Sequence, residues 1–388
     1  MKRQQQPGLD QEESNKQREL AKERERKRLE EEARLKKSRD EKKEKIEEKL
    51  KAAIKKKNQK GIWEQYQYHI IFGILGFLVL FAIFGKTPAE SRRPSDIPVI
   101  EEEFIAKINA QKRPYTVDAN TFFEGWNLQD VKGILKNGFT KKKSVPRCNV
   151  AKNELALDKY NFAELHPNCV NEVQNQGNCS SSFAFAAIGM FNDRTCLSNN
   201  DVKTFKASPQ HPLACDKASS KGCQGGYLLG ALDLGRVAGF VDSSCYAYNP
   251  EKADDCDTDA ISKCKRNFVT DYCVLEGINE IKNQISTQGP VASLMSVTRE
   301  FLVYRDGIYD ETLSDYKLEG SQAVKIVGWG ANDEGQEYWI IENSWGTSWG
   351  QEGFAHVKMN NLDSTLDKFA VGCTTNAQKQ TEQPNQTE

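Results

Sequence analysis

All eleven cysteines of this 388-residue chain lie beyond residue 147. That placement divides the chain by redox environment. The back part suits an oxidising compartment where disulfides persist, and the front part has no such requirement. An odd count leaves at least one thiol free or intermolecular. Zinc is the competing use for so many cysteines, but no Cys-x-x-Cys pair occurs and there are only four histidines. Structural zinc sites are built on such paired spacing. Neither a metal nor any other cofactor is expected.

Charge follows the same division. The whole-chain net charge of -1 conceals 22 Lys/Arg against 14 Asp/Glu in residues 1–60, roughly +8, which leaves the remainder near -9. Between the two parts runs an apolar stretch from Tyr68 to Phe84, with Trp63 and Tyr66 as an aromatic shoulder. About 20 such residues make a helix of roughly 30 Å, enough to cross a bilayer. The stretch starts too late for a cleaved signal peptide and lacks a small-residue cleavage pattern, so it reads as an uncleaved signal anchor. Lys and Arg crowd its N-terminal side, which places the front in the cytosol and the cysteine-rich back in a lumen or outside the cell. The expected topology is single-pass type II, in the endoplasmic reticulum, another endomembrane or the cell surface.

From Leu9 to Lys60 there is no proline or glycine. Pairs such as Glu23 with Lys27, Glu41 with Lys45 and Glu47 with Lys51 stand four apart with the acid first, each adding about 0.3–0.5 kcal/mol to a helix. Apolar residues are too sparse for a sustained heptad seam, so a solvated single helix is expected, with a weak coiled coil as the alternative. Lys55, Lys56, Lys57 and Lys60 meet the membrane surface, where anionic headgroups attract about 1 kcal/mol per charge. Interleaved acids and the lack of aromatics argue against nucleic acid as a partner. A cytosolic protein partner for this helix is the alternative.

Three stretches carry the chemistry. The first is Gln176-Gly177-Asn178-Cys179-Ser180-Ser181-Ser182-Phe183-Ala184-Phe185. The second is Gly320-Ser321-Gln322-Ala323-Val324-Lys325-Ile326, and the third Asn343-Ser344-Trp345-Gly346-Thr347-Ser348-Trp349-Gly350. In this order they resemble the active-site motifs of the papain-family cysteine proteases, cathepsin-B-like members in particular. There the first motif reads Gln-Gly-x-Cys-Gly-Ser-Cys-Trp-Ala-Phe. Lys221 to Tyr227 further resembles the family's Gly-Cys-x-Gly-Gly-Tyr loop, whose backbone pairs with substrate; Gly225 and Gly226 would line that groove, with Trp345 beside it. The resemblance runs from about Asn161 to Cys373. It implies an α+β, papain-like two-domain fold with a helical left domain and a β-barrel-like right domain. It also implies disulfides Cys179–Cys223 and Cys169–Cys196. Cys215, Cys245, Cys256 and Cys264 would make two more with pairing open, and Cys148, Cys273 and Cys373 are left over. No histidine lies between Cys245 and Cys264, so the occluding loop of true cathepsin B is absent.

Upstream, the order Phe104-Ile105, Pro114-Tyr115, Asn120, Phe122, Trp126, Leu135 is similar to the short prosegment of cathepsin B relatives, which lies along the cleft in a non-productive direction. The expected organisation is a charged cytosolic helix over 1–62, a transmembrane anchor over 63–85 and a linker over 86–98. A prosegment over 99–147, a papain-like body over 148–375 and a disordered tail over 376–388 follow.

Papain-type hydrolysis needs a thiolate, an imidazole base, an Asn to orient it and a Gln beside the oxyanion. By the resemblance, Ser182 stands at the nucleophile position and Gln322 at the base position, while Asn343 and Gln176 keep the orienting and oxyanion positions. Gln322 is an amide with no basic lone pair near neutral pH. The implied function is a catalytically inactive, membrane-anchored homologue that binds a peptide or protein in its lumenal groove or serves as a subunit of a membrane complex, with its own prosegment as a groove occupant. A serine-substituted peptidase with a base from elsewhere is the enzymatic alternative. A third reading makes the cytosolic helix the working end and the body its anchor. Ser180 for glycine and Phe183 for tryptophan are further departures from the family pattern.

Overall fold

The structure, a computed structural model, describes residues 93–140, 144–150, 157–314, 316–361 and 364–375. The charged arm, the apolar run over 63–85, the basic stretch at 141–143 and the tail lie outside the described residues. Among the described residues, no helix is long and apolar enough to cross a membrane.

The described residues begin inside the stretch expected as linker. Pro94–Asp96 form a turn, Ile97 accepts from the Leu128 amide and Val99 donates to Trp126. Helix α1 (Glu102–Ala110) follows, with Glu102 and Glu103 in its first turn, where the helix dipole favours acids. Strand β1 (Tyr115–Val117) then leads to helix α2 (Leu128–Ile134). Asn127 and Asp130 close a reciprocal capping box at its start, satisfying amides that the helix leaves open. Its buried face is Leu128, Val131 and Ile134.

Beyond β2 (Tyr160–Asn161) comes the longest described helix, α3 (Ser182–Ser198). It is buried nearly all round, as expected of a helix that is apolar on most faces. Arg194 on it is fully buried, yet its guanidinium donates to the carbonyls of Gly289, Pro290 and Cys373 and so ties the helix to the sheet. Helix α4 (Leu228–Val237) packs beside it, followed by the short pair β3 (Phe240–Val241) and β4 (Arg266–Asn267).

A nine-stranded sheet supplies the rest. It is built from β5 (Val269–Glu276), β6 (Val291–Thr298), β7 (Tyr304–Tyr309), β8 (Lys317–Ala331), β9 (Glu337–Glu342), β10 (Phe354–Lys358) and β11 (Phe369–Thr375), with β1 and β2. The order is β1-β7-β10-β9-β8-β6-β11-β5, with β2 pairing β8. All pairings are antiparallel except β10 with β7. β1 belongs to the expected prosegment, so that segment is a strand of the sheet, satisfying an edge that would otherwise be open.

The described residues from 93 onward cluster as one compact unit, so the expected helical and sheet domains are not resolved as separate units. What remains of the division is a pair of hydrophobic clusters. One gathers around α3 and α4. The other runs through the sheet and includes Val99, Phe123, Leu128, Val131 and Leu135 from the upstream segment.

Five disulfides form. Cys179–Cys223 and Cys169–Cys196 pair as the resemblance implies, and the open set resolves as Cys215–Cys256 and Cys245–Cys264. Two of the three leftover cysteines also pair, Cys148 with Cys273, and only Cys373 is free. Burial pushes the Cys373 thiol up to about 11, so it is a packed, unreactive group. Five disulfides place the domain in an oxidising, secreted or lumenal compartment. The Cys148–Cys273 bridge spans a sequence separation of 125 and is reinforced by Arg147, which ion-pairs with Glu276 and Glu280. Changing both cysteines to serine is expected to cost about 2–4 kcal/mol by urea unfolding, because a long loop regains its freedom in the unfolded chain. An unchanged midpoint would count against that anchoring role.

Candidate functional site

The site is built where the start of α3 meets the middle of β8. Ser182 opens the helix, and its hydroxyl accepts from the amide of Ala323, at 3.0 Å. Gln322 precedes Ala323 on the strand. Its Nε2 donates to Asn343 Oδ1 at 2.8 Å and to Gln176 Oε1 at 2.9 Å, with Ser344 Oγ at 3.3 Å. Ser344 Oγ also donates to Gln176 Oε1 at 2.7 Å, and Gln176 Nε2 donates to the Cys179 carbonyl at 2.8 Å. The structure therefore brings Gln176, Ser182, Gln322 and Asn343 into one cluster, at most 3% exposed.

Gln322 makes the N–H to Asn343 Oδ1 bond that an orienting asparagine would offer to an imidazole. An amide nitrogen donates there and cannot accept a proton. Gln322 Oε1 and Asn343 Nδ2 are buried with no hydrogen-bond partner. Such groups cost roughly 1–3 kcal/mol each, which marks the cluster as one not optimised for stability.

The remaining histidines in the described residues serve other contacts. His166 Nδ1 sits 3.0 Å from the Asp201 carboxylate. His211 is buried and pushed down to about 4 by burial and then by Arg266, so it is neutral near pH 7. His356, stacked on Tyr338, is lowered by burial. None hydrogen-bonds Ser182. His69 lies outside the described residues.

Over this cluster lies the stretch Leu135–Phe139. The Ser321 amide donates to the Leu135 carbonyl at 2.8 Å, and Gly138 donates to the Gly226 carbonyl and accepts from the Leu228 amide, both at 2.9 Å. Both bridges, Lys136 to Ser321 and Gly138 to Tyr227, are parallel. The segment thus joins the two lips of the cleft by backbone pairing. Gly225, in the left-handed region at φ 98°, meets it directly: a Cβ there would lie 1.8 Å from the Lys136 carbonyl oxygen. Gly226 is glycine for a different reason from the one its sequence motif suggests. A Cβ on it would strike the Phe183 ring at 2.5 Å, so the helix beneath rather than the bound peptide excludes a side chain. Phe183 is fully buried, as a floor rather than an exposed wall.

Trp345, expected at the groove, is also fully buried. Phe122 stacks on it at 5.8 Å and Phe123 meets it edge-on at 5.0 Å, with Trp349 at 5.1 Å. The upstream segment therefore covers this part of the groove with aromatic packing. A cavity of about 160 Å³ adjoins this cluster between α3 and β8, lined by Phe185, Ile188, Tyr248, Lys325 and Asn343.

Sequence reasoning passed over Ser344, which links Gln176 to Gln322, and Tyr248. The Tyr248 hydroxyl donates to the Gln176 carbonyl at 2.8 Å and lies 2.8 Å from Ser181 Oγ. It missed the buried ions too: Lys325 Nζ lies 2.5 Å from Asp193 and 2.8 Å from Glu342. A lysine inside the apolar run Ala323–Val327 was the available signal.

A helix presenting its first residue to a strand and an Asn loop, beneath an upstream segment laid in the cleft, defines a papain-fold proprotein. Residues 158–374 match the family described as papain family cysteine protease, and the chain belongs to it. It is 33% identical over 265 residues to "Cathepsin B-like CP3" of Giardia intestinalis, covering 64% of this chain and 86% of that protein. Over 254 residues it is 29% identical to the human "Tubulointerstitial nephritis antigen-like" protein, covering 56% of this chain and 54% of that protein. Among solved structures, "proCathepsin B S9 from Trypanosoma congolense" aligns with a TM-score of 0.64 at 24% identity, over 72% of this chain and 99% of that one. The chain is thus a cathepsin-B-like homologue with its prosegment in place.

Proposed function

We propose that this chain is a membrane-anchored pseudoprotease, a papain-fold protein that holds a peptide or protein segment in its lumenal cleft without cutting it. The observation that carries the reading is the buried amide of Gln322, bonded to Asn343 where a catalytic imidazole would need to be, beside a hydroxyl, Ser182, with no base to take its proton. A serine nucleophile depends on an adjacent base. The backbone pairing surfaces of the cleft, at Ser321 and at Gly226 to Leu229, are intact and occupied, which supports binding as the retained property. The apolar run at 68–84 with its lysine-rich cytosolic flank supplies the anchor, so that the disulfide-bonded domain faces the lumen or cell exterior.

Two measurements test this. A hydroxyl-directed fluorophosphonate should leave Ser182 unmodified in the full chain, as read by mass spectrometry; stoichiometric labelling would instead establish a serine peptidase. In intact microsomes, added protease should remove the front arm and spare the domain beyond residue 90. A digested domain with a protected arm would reverse the topology.

A further inference from the structure

Ser180 occupies a position where the family motif has glycine, and its hydroxyl is fully used by the segment in the cleft. It donates to the Ile134 carbonyl at 2.9 Å and accepts from the Lys136 amide at 2.9 Å and from Asn137 Nδ2 at 3.2 Å. One donor hydrogen and two lone pairs are all that a serine hydroxyl has. Ser180 itself is fully buried. Asn137 Nδ2 also lies 3.2 Å from the Ser321 carbonyl and 3.3 Å from that of Ile134. At this point the cleft offers two oxygens, Ser180 Oγ and the Ser321 carbonyl, that accept a donor, and the segment's own Ile134 carbonyl completes the cup.

The next residue is restricted by shape. A Cβ on Gly138 would lie 2.8 Å from the Tyr227 ring, while its N–H and C=O both pair with the lip at Gly226 and Leu228. Phe139 continues the pairing through its carbonyl, which accepts from Leu229 at 3.0 Å. Upstream, Lys136 Nζ reaches Gln224 Oε1 at 3.0 Å.

We propose that Ser180 makes this cleft selective for extended peptide segments containing Asn-Gly, with Leu135–Phe139 as the resident occupant. A side-chain N–H donor such as asparagine's is required because the cleft presents the Ser321 carbonyl and a Ser180 lone pair, whereas the Asn137 Oδ1 itself is buried with no hydrogen-bond partner. Aspartate would aim a negative charge at these two oxygens, and leucine would leave the Ser321 carbonyl and one Ser180 lone pair without this donor. Glycine is required because Tyr227 closes over the next position. This inference rests on the binding reading above and names what that cleft binds.

The test uses the full chain carrying Gly138→Trp, which collides with Tyr227 and weakens the resident segment while leaving Ser180 and Ser321 in place. Faster hydrogen exchange at the Leu228 amide reports that the segment has left. The probes are a fluorescent Ile-Leu-Lys-Asn-Gly-Phe peptide and its analogue with leucine for asparagine, read by anisotropy. The asparagine peptide should bind about 10-fold more tightly than the analogue, the effect of one to two neutral hydrogen bonds. Adding Ser180→Gly should weaken the asparagine peptide about 10-fold and erase the difference. Equal affinities with and without Ser180 would overturn the selectivity and leave the binding reading standing. Failure of both peptides to bind a vacated cleft would overturn both. Should Gly138→Trp not fold, Ser180→Gly alone in the full chain should raise exchange at the Lys136 amide about 10-fold, and an unchanged rate would overturn the proposal.

Discussion

Hydrolysis of a dipeptidyl amide substrate is expected to be undetectable for this chain and to appear only when Ser182→Cys and Gln322→His are made together. Removing the nucleophile or the base of such a pair costs on the order of 10⁶ in rate, about 8 kcal/mol, and removing both costs little more, because the two act as a unit. Either single reversion should therefore gain almost nothing. The double variant begins with an advantage. Asn343 Oδ1 already accepts an N–H from position 322 at 2.8 Å, so an imidazole there finds its orienting partner in place. Two features limit the gain. The tethered segment Leu135–Phe139 competes for the cleft at roughly millimolar effective concentration. Gln176 also has its Nε2 turned to the Cys179 carbonyl, so it must be recruited to an oxyanion. A rise of roughly 10³ or more in kcat/KM over the chain itself is expected. Turnover by the unaltered chain would end the pseudoprotease reading. A double variant as inert as the parent would show that more than the two missing groups silences the site.

Replacing Lys325 with methionine is expected to destabilise the fold by about 3–5 kcal/mol, read as a lowered urea midpoint. The ammonium lies between Asp193 and Glu342, and their side chains are 4%, 1% and 12% exposed respectively. Burial pulls the Lys325 pKa down, but the two carboxylates outweigh it and hold the ammonium charged above the ordinary lysine range. Without it, two carboxylates remain in a medium that solvates them poorly. The sign of the pH effect follows. In the variant the buried Asp193 has a folded-state pKa above its unfolded one, so the folded state binds more protons and stability falls as pH rises. The deficit should shrink between pH 8 and pH 5. A deficit that grew on acidification would mean the carboxylates are better solvated than their burial indicates. The cluster joins α3 to β8 and β9, with Glu342 directly before Asn343 in the chain. A collapse of the cleft network in this variant would show in faster exchange at the Ala323 amide.

Much of this was legible from residues alone because the family motifs are local. Gln176 to Phe185, Gly320 to Ile326 and Asn343 to Gly350 identify the fold whatever lies between them, and the absence of an ionisable base at position 322 is a statement about one side chain. Two disulfides could be named by resemblance. The remaining cysteines could not, since loop lengths do not say which Cα atoms come within about 6 Å. Cys148 looked unpaired for that reason, although β5 carries its partner Cys273 to it with Cα atoms 4.8 Å apart.

Contacts of the expected linker were hidden on similar grounds. Pro94 to Pro98 lies in the expected polar linker, but its Ile97 carbonyl accepts from the Leu128 amide, some thirty residues on.

The identity of the fold, and the serine at 182 and glutamine at 322 on which the pseudoprotease proposal rests, were thus set by the order and chemistry of residues close together in the chain. What occupies the cleft was decided in three dimensions. Ser180, Asn137, Ser321 and Tyr227 are distant in sequence, and no local propensity ties a serine hydroxyl to a carboxamide forty-three residues before it. Their contact exists because the helix, the strand and the glycine loop converge on one segment, where most buried donors and acceptors find a partner within about 3 Å.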